Sequence, residues 1–155
     1  MALTESSRDR WSDFPFLEAS VTLEKEELEV GGSSAGHVHL RNFGKEAIEF
    51  QSDQPIAAAI LNPSTMERVG GYSVWVGGTG LMIHLRPGEV ATIPVLIGTA
   101  RRQDDQILAL PPGKYLVKVD VPILEQRPDK ESYERSFLHL PLVHLKVVEK
   151  PSEWN

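Results

Sequence analysis

LEASVTLE, residues 17–24, alternates strictly: Leu17, Ala19, Val21 and Leu23 are apolar, while Glu18, Ser20, Thr22 and Glu24 are polar. A period of two describes a β-strand with one face on a core and one in water. Similar short runs recur at roughly 36–42, 46–51, 56–61, 72–76, 80–85, 89–98, 113–123 and 135–148. Turn chemistry separates them, at Gly31-Gly32, Asn42 to Lys45, Asn62-Pro63, Gly77-Gly78, Pro87-Gly88 and Pro112-Gly113. No segment carries a helical period. The chain is therefore expected to be all-β, an antiparallel β-sandwich or a barrel.

At 155 residues one domain is expected, spanning 17–148, with an N-terminal arm at 1–16 and a tail at 149–155. The core should hold Val38, Leu40, Val117, Val119, Leu138 and Leu140. Pro94, Pro122 and Pro141 lie inside strand-like runs, which places them at sheet edges or bulges because proline donates nothing to a ladder. Leu138, Leu140 and Leu142 share one phase and Val143, Leu145 and Val147 the other, so a bulge near Pro141 would keep both sets inside.

The absence of cysteine excludes disulfides, thiolate metal sites and cysteine nucleophiles. No apolar run is long enough to span a bilayer, and a cytoplasmic location is expected. A net charge of −6 argues against nucleic acid as the partner. Arg101 and Arg102, followed by Asp104 and Asp105, read as a solvated loop, and Glu24 to Glu27 as a solvated turn or edge. There is no Gly-x-Ser-x-Gly elbow, and the glycines at 77–80 lack the Gly-Lys-Ser/Thr ending of a phosphate loop.

GHVHLRNFG, residues 36–44, poses the one sharp chemical question. His37 and His39 share a strand face opposite Val38 and Leu40, so they point outward and could chelate a metal. The segment resembles the copper-ligand strand of copper–zinc superoxide dismutase, without that family's downstream ligands. It is also similar to the first cupin motif, since Gly31 stands six positions before His37. Phe43 and Gly44 occupy the window where a cupin has its glutamate, and Leu116 the position of the second-motif histidine. No metal or other cofactor is expected; a small cupin-like metal enzyme using His37 and His39 is the alternative.

Candidate partner contacts are Trp11, Phe14 and Phe16 in the arm, Trp75 beside a glycine-rich turn, and Arg127 and Asp129 in the 124–134 connection. Trp75 is out of phase with Val74 and Val76, so it faces either the core or solvent. The arm aromatics either cover their own sandwich or dock onto another protein or a second copy.

Leu85-Arg86-Pro87-Gly88-Glu89 and Leu110-Pro111-Pro112-Gly113-Lys114-Tyr115, each leading into an apolar strand, resemble segments of bacterial immunoglobulin-like domains. So does Leu40-Arg41-Asn42 followed by Ala47-Ile48-Glu49-Phe50. In this order they are most similar to the BsuPI-type intracellular proteinase inhibitor domain. The resemblance implies an all-β, immunoglobulin-like antiparallel β-sandwich, with the cupin-like double-stranded β-barrel suggested by the histidine segment as the alternative. It also implies a non-catalytic protein-binding module, inhibitor-like or an accessory subunit. A small-ligand carrier is a further alternative.

Overall fold

The computed structural model describes residues 2–71, 79–103, 106–126 and 132–150. The strands are β1 (Ala2–Asp9), β2 (Leu17–Leu23), β3 (Glu27–Glu29), β4 (Ser33–Asn42), β5 (Ile48–Gln54), β6 (Ile56–Ala57), β7 (Ala59–Leu61) and β8 (Arg68–Gly71). They continue with β9 (Thr79–Leu85), β10 (Val90–Gly98), β11 (Ala100–Gln103), β12 (Gln106–Ala109), β13 (Gly113–Lys118), β14 (Asp120–Gln126), β15 (Ser132–His139) and β16 (Val143–Val148). One 3₁₀ turn, Trp11–Asp13, separates β1 from β2.

Two five-stranded sheets have the orders β1-β15-β14-β5-β9 and β3-β16-β13-β7-β8. Three pairs of their strands follow one another in the chain, crossing from one sheet to the other. β13 leads through Val119 into β14, β15 leads through residues 140–142 into β16, and β5 leads through residues 55–58 towards β7. The amide of Leu140 donates to the carbonyl of Val119 between the first two crossings, at 3.2 Å. A third sheet, β2-β4-β10-β6, supplies the facing layer, and β11-β12 form a separate hairpin. The layers share one core, in which Val38, Leu40, Ile93 and Val95 of the third sheet meet Phe50, Ile60, Val117, Ile123, Leu138 and Leu145 of the other two. The fold is an all-β sandwich, and the sheets do not close into the barrel of a cupin.

All six residues expected in the core are buried. Several other expectations need correction. The pairing is mixed: β1 runs parallel to β15, β3 to β16 and β6 to β10. Alternation reports which face is buried and carries no information about strand direction. Parallel neighbours need long connections, which strands so far apart in sequence have.

The N-terminal segment is also no free arm, because β1 forms the edge of a sheet. Pro122 lies in β14, between β15 and β5, rather than on an edge. Its missing donor is tolerated because β14 and β5 are bridged at Leu124 and Gln51, and the Ser52 hydroxyl donates to the Pro122 carbonyl at 2.6 Å. Near Pro141 the strand breaks over 140–142, and Leu142 turns to solvent. Residues 124–126 and 132–134 belong to β14 and β15, so the 124–134 connection is shorter than expected. Arg101 and Arg102 lie in β11 rather than in a loop.

Candidate functional site

Arg10 decides how the chain enters the domain. It is only 5% exposed, and a buried guanidinium is stable only when its donors are satisfied. Nε donates to Asp13 Oδ2 at 2.5 Å, Nη1 to the buried Ser136 hydroxyl at 2.8 Å, and Nη2 to Glu125 Oε1. Burial acts to lower the pKa of this group, but the hydrogen bonds to Glu125 and Asp13 outweigh it and hold the charge more firmly than usual.

With Arg10 anchored, the turn that follows lies on the sandwich. The Trp11 indole N–H donates to the His139 carbonyl at 2.8 Å. Phe14 packs against the core, its ring centroid 5.2 Å from that of Phe50. Of the three aromatics read as contacts for another chain, two are thus turned inward. Phe16 remains, 55% exposed.

Phe16 meets the β4–β5 loop. The Phe43 amide donates to the Phe16 carbonyl at 2.9 Å, and the two rings stand edge to face with centroids 5.8 Å apart. Phe43 is itself 49% exposed. Gly44 permits this approach, since a Cβ there would lie 2.6 Å from the Phe16 Cβ.

Asn42 sets the loop's shape from inside the protein, being fully buried. Its Nδ2 donates to the carbonyls of Glu46 and Leu85, at 2.7 and 3.0 Å, and its Oδ1 accepts from the Gly44 amide at 2.9 Å. A side-chain amide that satisfies its own loop in this way replaces the ladder bonds that a strand would have made.

Between residues 13–16 and residues 43–49, the β4–β5 loop and the start of β5, runs a groove of about 720 Å³. Phe14, Pro15, Phe16 and Phe43 form its apolar part together with Ile48. Asp13, Lys45, Glu46 and Glu49 supply its charges. Most of these residues are exposed, so the groove is an open trough rather than a closed cavity.

Sequence reasoning missed Phe43, Gly44, Asn42 and Arg10 as parts of a site. The turn from Asn42 to Lys45 was itself legible, and a phenylalanine inside a turn was the available signal. Arg10 left none, because its partners Glu125 and Ser136 lie more than 110 positions away.

His37 and His39 lie half-buried on the outer face of the third sheet, with ring centroids 6.2 Å apart. His39 sits between hydroxyls, its Nε2 3.0 Å from Thr22 Oγ1 and its Nδ1 3.4 Å from Thr92 Oγ1. Among the described residues no group of three or more His, Cys, Asp or Glu side chains is placed to hold a metal ion. Trp75, Arg127 and Asp129 lie outside the described residues, as do the 72–76 strand and the Gly77-Gly78 turn. None of the described helices is long and apolar enough to cross a membrane.

No family model matches the chain, and no curated protein matches it in sequence. Solved structures that align with the chain include a β-glucosidase (D270A mutant) from Listeria innocua in complex with laminaribiose. That alignment has 15% identity and a TM-score of 0.49, and covers 85% of this chain but 16% of that one. Spo0M, a sporulation control protein from Bacillus subtilis, aligns at 14% identity and a TM-score of 0.47, over 87% of this chain and 50% of that chain. A fragment of Escherichia coli alpha-2-macroglobulin, from domain MG7 to the C-terminus, aligns at 14% identity and a TM-score of 0.42. The chain spans half or less of each of the first two. These alignments bear on neither activity nor partner.

Proposed function

We propose that the protein is a non-catalytic interaction module whose partner, another protein, docks at the Phe16–Phe43 groove. The observation that carries this reading is the pair of exposed rings. Two phenylalanines half in water are unfavourable for an isolated domain, yet here a backbone hydrogen bond, an unsubstituted Gly44 and a buried Asn42 hold them in one geometry. Aromatic side chains fixed before binding lose little entropy on association, which is the property of an interface anchor. The resemblance of 85–89 and 110–115 to segments of the BsuPI-type inhibitor domain supports the same class of function, as an inhibitor or an accessory subunit. A second copy of the chain is one partner that the groove would accommodate.

Site-specific photo-crosslinking in the source cells tests the reading. A photoreactive residue at Lys45, on the groove, should yield a discrete covalent adduct, while one at Glu29, on β3, should not. An adduct of twice the chain's own mass would identify self-association. Equal labelling from both positions, or none from Lys45, would overturn the proposal.

A further inference from the structure

We propose that the groove selects an extended partner segment bearing an arginine, an inference that rests on the interaction reading above. The trough is open along its length, so it suits a stretch of chain better than an enclosed small molecule. Its exposed apolar surface is mainly aromatic, and its fixed charges are three carboxylates, Asp13, Glu46 and Glu49, against the single ammonium of Lys45. Two of these carboxylates already face cations or a potential one. Asp13 takes the Arg10 guanidinium, and Glu49 lies 3.6 Å from His84 Nδ1. Glu46 has no ionic partner among the described residues.

An aromatic edge-to-face pair and a carboxylate without an ionic partner among the described residues, lining one groove, match one side chain in particular. A guanidinium is planar and weakly hydrated, so it stacks on a ring face while its fork of N–H donors reaches a carboxylate. A lysine ammonium, compact and strongly hydrated, stacks less well. Lys45 on the rim would repel a run of basic residues, which favours one arginine within an otherwise neutral segment. The net charge of −6 would speed the encounter with such a segment at low salt.

Short, capped, neutral peptides carrying a central Arg, Lys, Leu or Glu are titrated into the ¹⁵N-labelled full chain and followed by amide chemical shifts. With the Arg peptide, shifts should be confined to residues 13–16 and 43–49. The Arg peptide should bind tighter than the Lys peptide by about threefold or more, and the Glu peptide should not bind. Phe43→Ala should weaken Arg binding by about threefold or more. Glu46→Gln should weaken it at low salt and leave little further loss on raising salt to about 1 M, where the screening length is about 3 Å. Unchanged amide shifts away from the groove show that each variant is folded.

Absence of Arg-peptide shifts at millimolar concentration, equal response to the Glu peptide, or tighter binding of Leu than of Arg would overturn the inference. If Lys45 crosslinks a partner in cells while the Arg peptide fails, the arginine specificity is wrong and the interaction reading stands. If crosslinking at Lys45 fails as well, both fall.

Discussion

Asn42 is the residue on which the candidate site depends most directly, because its amide makes three hydrogen bonds from a fully buried position. Asn42→Ala would leave the Glu46 and Leu85 carbonyls and the Gly44 amide without that partner. It should lower stability by about 2–3 kcal/mol in chemical denaturation, and the amide signals of Phe43 and Gly44 should shift more than those elsewhere. An unchanged denaturation midpoint would show that water replaces the side chain. Arg10 is the second such residue. Arg10→Ala removes a buried cation together with its hydrogen bonds to Ser136, Asp13 and Glu125, so a loss of about 2–3 kcal/mol is expected, with Arg10→Lys intermediate. If Arg10→Ala is neutral, the network contributes nothing and the turn is held by Trp11 and Phe14 alone. Neither residue has a local sequence signature of burial: a polar side chain becomes a core residue only when distant partners arrive to satisfy it.

At the scale of elements, residues 2–16 are a strand, an anchored turn and the lead-in to β2, rather than an arm. Deleting residues 2–16 should cost on the order of 4 kcal/mol, through loss of the Arg10 network and of the apolar surface covered by Trp11 and Phe14. A deletion variant that melts with the parent would show that the segment does not hold to the sheet in solution. The outer face of the third sheet should behave oppositely. His39 contacts the Thr22 and Thr92 hydroxyls and His37 stands beside its ring, both on the outer face, so the His37→Ala, His39→Ala double variant should stay within about 0.5 kcal/mol per site of the parent. Elemental analysis of untagged protein adds an independent check, since stoichiometric metal lost in that variant would restore the histidines as ligands. The element that alternation describes least well runs from β5 to β7. There the chain touches all three main sheets within residues 48–61, with β6 leaving to pair with β10. The apolar run 56–61 reads as one strand, but its pairing breaks at Ala58 because Ile56–Ala57 bond to β10 and Ala59–Leu61 to β13 in another sheet.

For the whole molecule, the decisive feature is the seam where β13 and β14 meet at Val119. This fully buried residue lies between two halves of a layer and beneath a third sheet. Val119→Asp should cost more than about 4 kcal/mol and leave little folded protein at ordinary temperature, since a carboxylate there has no buried partner. A variant with near-parental melting would refute the strand phase on which the architecture rests. The phase itself was legible in sequence. LEASVTLE, His37 to Asn42 and the run around Val117 and Val119 each alternate with the period of a half-buried strand, and the six residues this implies for the core are buried. The turns were legible for the same local reason, since glycine, proline and asparagine act through their own backbone preferences. Burial phase, strand class and turn position are properties of a few neighbouring residues, so the sequence by itself determined them. Strand direction, sheet order, the incorporation of Ala2–Asp9 and the meeting of Phe16 with Phe43 depend on which segments, far apart in the chain, satisfy one another's hydrogen bonds and apolar faces. Only the tertiary structure decided these, because the free energy that selects them resides in contacts between distant residues and in no residue alone.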